Sequence, residues 1–157
     1  METVFDAVMK TAFGALGVRT EDDAIAAIAF LPPATKPVSP RNPLAAKACE
    51  QLAAYLADPA AMFDLPLRPA GTEFQRRVWE SIAAIPRGRT LTYGEIAGKL
   101  MNAPRAVGQA CGRNPHPVVV PCHRVVAAGG GLGGFAGARS GYLLDAKRWL
   151  LRHEGVL

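Results

Sequence analysis

The stretch Thr92-Tyr93-Gly94-Glu95-Ile96-Ala97-Gly98-Lys99-Leu100-Met101-Asn102-Ala103-Pro104-Arg105-Ala106-Val107-Gly108 holds two helix starts within a short span. Thr92 followed three residues later by Glu95 is a capping box, in which each side chain satisfies a backbone N–H that the first turn leaves free. It predicts a short helix through Leu100. Met101 to Pro104 turns the chain, and a second helix is expected from Arg105 to about Gly112. Two short helices about a tight turn suggest a helix-turn-helix, with Arg105 near the start of its second helix.

Working outward, Thr72-Glu73-Phe74-Gln75 is another capping box, opening a helix whose apolar face runs Phe74, Val78, Ile82 and Ile85. Pro86-Arg87-Gly88-Arg89 ends it. Downstream, Asn114-Pro115-His116-Pro117 is turn material that should leave His116 exposed. Val118-Val119-Val120 is strand-like and delivers Pro121-Cys122-His123-Arg124-Val125 at its end. The run from Gly129 to Gly134 is a flexible loop without the Gly-Lys-Ser/Thr ending of a phosphate loop. A helix from Tyr142 to Leu151 closes the chain.

Upstream the character differs. Residues 15–31 alternate loosely around Thr20-Glu21-Asp22-Asp23 and predict a hairpin in a small sheet. Five prolines between Leu31 and Pro43 enforce a loop. Leu44, Ala48, Leu52, Tyr55 and Leu56 keep helical spacing, with Cys49 as a core or boundary thiol of that helix. Asp64 to Gly71 reads as a linker. The expected class is α+β: residues 1–70 form a small N-terminal lobe with a short antiparallel sheet, and residues 71–157 a mainly helical lobe carrying the helix-turn-helix and the reactive cysteine.

Half of the 157 residues are hydrophobic, enough for a core, yet no run approaches the roughly 18 apolar residues of a membrane span. The opening residues are acidic rather than signal-like, so a soluble, cytoplasmic protein without membrane contact is expected. Cys49, Cys111 and Cys122 are too few and odd in number for a disulfide framework, which fits a reducing compartment. Residues 1–70 carry six Lys/Arg against eight Asp/Glu, and residues 71–157 twelve against five. Any anionic partner belongs to the second part. Its cations are mostly arginine, the planar group suited to phosphate recognition.

Cys122 is the candidate nucleophile. A thiol attacks as thiolate, and the imidazole of His123 and guanidinium of Arg124 make its surroundings polar and cationic. Side chains of adjacent residues in an extended chain point oppositely, so a direct Cys122–His123 pair is disfavoured and a water or local turn must connect them. A metal site from Cys111, His116, Cys122 and His123 competes with this reading. Its spacing is not that of a compact structural zinc site, and adjacent Cys-His ligands would strain a tetrahedron.

The ordered segments Gly71 to Trp79, Thr92 to Ala97, Arg105 to Gly108, Gly112 to Pro115, Val120 to Val125 and Lys147 to Leu151 resemble the O6-alkylguanine-DNA alkyltransferases, the methylated-DNA–protein-cysteine methyltransferases, across nearly all of residues 71–155. The resemblance implies a single-turnover repair protein, monomeric and without cofactor or metal, that binds duplex DNA containing O6-alkylguanine. It turns the damaged base out and moves the alkyl group to its own cysteine, with O4-alkylthymine a secondary candidate substrate. Extrusion is required because O6 cannot be reached within the stack.

Carried over by position, Cys122 resembles the alkyl acceptor, His123 the residue that takes its proton through a water, and Glu154 the carboxylate orienting that histidine. Tyr93 resembles the hydroxyl that neutralises the leaving base, and Asn114 the brace of the turn beside the cysteine. Arg105 resembles the arginine that fills the vacated place in the duplex. Ala106 and Gly108 match small residues that let the helix approach DNA, with Thr92 and Gln109 as further DNA contacts. Pro117, Val125, Gly133, Phe135 and Ala136 would shape the pocket, the carbonyls of Cys122 and Val125 reading the guanine amino group. Phe135 and Ala136 stand where some members carry Tyr and Ser. The turn before Arg105 is about two residues shorter than the common bacterial pattern, and residues between Gly137 and Lys147 are extra. The alternative is a relative that binds and flips alkylated DNA without transfer, although such relatives replace the cysteine; a plain helix-turn-helix regulator would leave Pro121 to Arg124 and Glu154 without purpose.

Overall fold

The computed structural model describes residues 4–133 and 141–157. The chain divides into two compact units, Met1–Pro69 and Ala70–Leu157.

In the first unit, β1 (Ala7–Thr11), β2 (Gly14–Glu21) and β3 (Ala24–Leu31) form an antiparallel sheet in the order β1-β2-β3. The predicted hairpin is β2-β3, turning at Asp22 and Asp23, both at positive φ. These are among the residues that tolerate the left-handed region best. Strand β1 was not expected; its register with β2 pairs Ala7 with Val18 and Thr11 with Gly14. Helix α1 (Pro43–Ala57) buries Ala45, Ala48, Leu52 and Tyr55. It is capped by Asn42, whose Oδ1 accepts from Ala45 N at 2.8 Å and whose Nδ2 donates to Thr20 Oγ1 at 2.9 Å. One cap thus starts the helix and fastens it to β2. The predicted linker is partly structural: Ile25 N donates to Pro66 O at 2.7 Å and Arg68 N to Ile25 O at 2.9 Å, so this segment runs along β3.

In the second unit, α2 (Glu73–Ala83) and α3 (Tyr93–Leu100) both begin with the complete capping box that the sequence predicts, at Thr72/Gln75 and Thr92/Glu95. Val78, Trp79 and Ile82 of α2 are buried. Trp79 Nε1 donates to Ala110 O at 2.9 Å, which fixes α4 (Pro104–Gly112) against α2. Proline suits the first helical position, where its missing N–H costs nothing. The helix therefore starts one residue before Arg105. Strand β4 (Leu91–Thr92) pairs in parallel with β5 (Val125–Val126), Leu91 with Val125 and Thr92 with Val126. This short pairing brings the start of α3 beside the cysteine segment. Helix α5 (Tyr142–His153) buries Ala146, Lys147, Leu150 and Leu151. No helix of the described residues is long and apolar enough to cross a membrane.

The turn between α3 and α4 places Met101 at φ 54°, ψ 49°, where the residue is 93% exposed. A left-handed residue costs roughly 1–2 kcal/mol when it carries a Cβ, and glycine escapes this while paying about 0.5–1 kcal/mol in the unfolded chain. Met101→Gly is expected to raise stability by about 0.5 kcal/mol net. A urea midpoint no higher than that of the parent protein would contradict the account.

Candidate active site

The strand expected at Val118–Val120 is not formed. Pro117 and Val120 form an isolated bridge across a tight bend, Val118 sits at φ 74°, and Cys122–Arg124 is a 3-10 turn. Valine runs favour strands, but Pro115, Pro117 and Pro121 remove three ladder donors, and the chain turns instead. His116, expected to be exposed in this turn, is buried at 5%. Val120 N donates to the His116 carbonyl at 2.8 Å, which folds the bend inward over it.

Asn114 holds the bend closed. Its Oδ1 accepts from His116 N at 2.9 Å, while Nδ2 donates to Val120 O at 2.9 Å and to Cys122 Sγ at 3.0 Å. One amide therefore fixes the loop and touches the thiol that the loop carries. Cys122 is 4% exposed. A side-chain hydrogen bond with Cys111 of α4 and burial push its thiol well above the ordinary range, against the opposing pull of Asn114 and Lys147. Cys111 is shifted the other way, chiefly by the same hydrogen bond. The sequence expectation that Arg124 would help ionise Cys122 does not hold, because that guanidinium is otherwise engaged.

Arg124 Nε and Nη2 form a two-pronged pair with Glu154 Oε1 and Oε2 at 2.9 and 2.7 Å, and Nη1 donates to Ile85 O at 2.6 Å. Glu154 Oε2 also faces His123 Nε2 at 3.2 Å. His123 is fully buried, and its Nδ1 has no hydrogen-bond partner among the described residues. Opposite a carboxylate, Nε2 is the nitrogen assigned the proton, which leaves the lone pair on Nδ1. The imidazole has the form of a base, held from behind.

Tyr93 is half-buried, and burial, then the two nearby thiols, push its hydroxyl up to about 12. Gly133 lies against it at φ 72°: a Cβ there would fall 2.9 Å from Tyr93 Cε2 and 3.3 Å from its oxygen. Gly108 faces the same ring from α4, a Cβ there falling at 4.0 Å from Cδ1 and Cε1. Tyr93 is thus packed between two glycines. On α4, Arg105 and Gln109 are exposed four residues apart, with Ala106 half-buried between them. Thr92 caps α3, Pro117 is buried, and Phe135 and Ala136 lie outside the described residues.

A family model described as 6-O-methylguanine DNA methyltransferase, DNA binding domain, matches residues 73–156. The chain belongs to this family. A methylated-DNA–protein-cysteine methyltransferase of Methanosarcina acetivorans is 50% identical over 111 residues, 69% of this chain and 68% of that protein. The crystal structure of Mycobacterium tuberculosis O6-methylguanine methyltransferase is similar at a TM-score of 0.79 and 35% identity, covering 94% of this chain and 90% of that one. A structure of the same mycobacterial protein in complex with DNA is similar at a TM-score of 0.78 and 36% identity, with the same coverage.

One residue of this family member's site escaped the sequence reading. Lys147 is fully buried, and its Nζ donates to Val125 O at 2.7 Å and Leu132 O at 2.6 Å, 5.7 Å from the centre of the Tyr93 ring. Burial pulls its ammonium down to about 8, opposed by the thiols of Cys111 and Cys122. The signal was present in the sequence: Leu143, Ala146, Lys147, Leu150, Leu151 and Glu154 share one helical stripe, and a lysine on an apolar stripe needs a polar destination. The Val125 carbonyl, expected to read guanine, already accepts from Lys147, and the Cys122 carbonyl accepts from Val125 N. Each keeps its second lone pair.

Burial, partly offset by Glu154, holds His123 below the ordinary imidazole value of 6.5. The unfolded chain takes up that proton at a higher pH than the native one, so His123 contributes stability above 6.5 that is lost as pH falls through its native value. The urea midpoint is expected to drop between about pH 7 and about pH 5, less steeply in His123→Gln. Equal slopes would remove His123 from the explanation.

Proposed function

We propose that this protein repairs DNA by moving the alkyl group of O6-alkylguanine, in a base turned out of duplex DNA, irreversibly onto Cys122. The observation that carries the reading is Cys122 in a bend held by Asn114, in the turn that also bears the buried His123 facing Glu154. Family membership and the matching relatives, which bear the name of this activity, support it.

In this mechanism Nδ1 of His123 takes the Cys122 proton through a water, and the developing imidazolium is stabilised by Glu154. The thiolate attacks the alkyl carbon, forming the S–C bond as the C–O6 bond breaks. Charge then develops on the guanine, and Tyr93 donates to it. The raised Tyr93 value suits a donor that stays protonated at neutral pH. Lys147 anchors the wall beside Val125 and Leu132 and contributes positive charge near both thiols. The sulfur ends as a thioether, so no second cycle follows. The protein acts as a monomer, reading one lesion per molecule.

DNA is the partner of the second unit, whose excess of cations suits phosphate contact. Here α3 and α4 act as a helix-turn-helix, and Arg105 at the exposed start of α4 fills the space the extruded base leaves. Arg105→Ala is expected to slow transfer from duplex DNA by at least about tenfold while sparing transfer from the free modified base. Equal losses on both substrates would refute that role.

The direct test uses a duplex carrying O6-methylguanine with a labelled methyl group. One label per protein molecule is expected, on the tryptic peptide from Asn114 to Arg124. Repeated turnover, or label on Cys49 or Cys111, would overturn the reading. Tight binding to the lesion without any label would instead indicate recognition without transfer.

A further inference from the structure

The exposed side of α4 carries one polar stripe. Arg105, Gln109 and Arg113 stand four residues apart and are all exposed, while Val107 and Ala110 on the other side are buried and Trp79 Nε1 holds the Ala110 carbonyl. Four residues advance a helix by about 6 Å and return to nearly the same face. Ala106 and Gly108, half-buried beside the stripe, project no long side chain, so the backbone of α4 can come close to a narrow surface. Among the described residues no hydrogen bond or ion pair engages the side chains of Arg105, Gln109 or Arg113. The carboxamide of Gln109 therefore keeps two donors and an acceptor for a partner.

We propose that Gln109 reads the base pair beside the lesion from the minor groove, so that transfer is faster where that pair contains guanine. This rests on the proposed function, in which Arg105 fills the place of the extruded base. With Arg105 at that place, a residue about 6 Å further along α4 stands one to two base steps away, since successive pairs rise about 3.4 Å. Arg113, a turn further, adds positive charge that holds phosphate whatever the sequence. Gln109 is thus the neutral, two-way hydrogen-bonding group of the stripe, set between two cations.

The minor groove is only about 6 Å wide, and the small side chains of Ala106 and Gly108 suit an approach to it. Its floor offers acceptors at every pair, and only guanine adds a donor, the N2 amino group. Gln109 Oε1 can accept from that amino group while Nε2 donates to the neighbouring ring nitrogen. An A·T pair leaves Oε1 without a donor. The discrimination is carried by one atom on each side, which makes it separable from the charge that the arginines supply.

The test uses duplexes carrying O6-methylguanine with a labelled methyl group, which differ in the two base pairs on each side of the lesion. At one of these positions, G·C in place of A·T is expected to raise the single-turnover rate by at least about fivefold. Inosine in place of that guanine, which lacks only the N2 amino group, should remove the gain. In Gln109→Ala the ratio should fall to within about twofold, whereas Arg113→Gln should lower affinity for every duplex and keep the ratio. Alanine is a strong helix former and Gln109 is exposed, so the variant should fold. Equal rates on all flanks in the parent protein, a gain that survives inosine, or a ratio unchanged in Gln109→Ala would each overturn the proposal. The same ratio is read in the affinity for each duplex by gel retardation. A failure of transfer on every duplex would count against the proposed function, and the affinity ratio would still decide the role of Gln109.

Discussion

Glu154→Ala is expected to destabilise the second unit by on the order of 3–5 kcal/mol, because it removes one partner from a buried charge cluster and leaves the others unpaired. The side chain of Glu154 is fully buried and that of Arg124 only 13% exposed, so neither can exchange its partner for bulk water. The carboxylate takes both prongs of the guanidinium and also faces His123. Its loss leaves Arg124 with the Ile85 carbonyl alone among the contacts described above, and takes from His123 the carboxylate that faces its Nε2. Methyl transfer should fail as well, since the imidazolium formed during the reaction would be uncompensated. Urea unfolding and single-turnover transfer report the two effects independently. Glu154→Gln separates them further, since an amide can fill the space and keep a hydrogen bond while losing the charge. A loss of less than about 1 kcal/mol in Glu154→Ala would place the cluster among weak, solvent-screened pairs.

Cys122→Ala is the second large effect, expected to remove transfer completely while leaving binding to alkylated duplex nearly unchanged. In the proposed mechanism the thiol provides the bond-forming atom, and the hydrogen bond it accepts comes from Asn114, which braces the bend. Asn114 keeps its bonds to Val120 O and His116 N, so the bend should survive, and the stability change should stay within about 1 kcal/mol. Label transfer and gel retardation with the same duplex provide the readouts. Residual label on Cys111 would show that the neighbouring thiol can substitute, and a binding loss beyond about tenfold would show that the sulfur helps seat the base.

The parts legible in the sequence were those governed by local chemistry. Thr72/Gln75 and Thr92/Glu95 announced their helices because a capping box is complete within four residues, and both form as read. The hairpin at Asp22-Asp23 and the helix after Asn42 were legible for similar reasons. The acceptor loop was not, because Val118–Val120 has the composition of a strand while three neighbouring prolines deny it strand partners. Residue preference and chain connectivity disagreed there, and tertiary packing decided. His116 and Lys147 escaped for a related reason: a polar side chain reads as exposed until its buried acceptors, or the bend that covers it, are known. A direct pairing of Cys122 with His123 is disfavoured on an extended backbone, but the backbone there is a 3-10 turn, and it directs His123 toward Glu154.

Val118 is a β-branched residue at φ 74°, a conformation such side chains rarely accept, and it is held there while 3% exposed. A free peptide of the same sequence would relax out of it. The arrangement around Cys122 is therefore imposed by the surrounding core and vanishes with it. A nascent or unfolded copy of this chain carries only an ordinary thiol, chemically quiet toward alkylated bases. The capacity to accept an alkyl group arises when the second unit closes, so each molecule reaches its single reaction unspent.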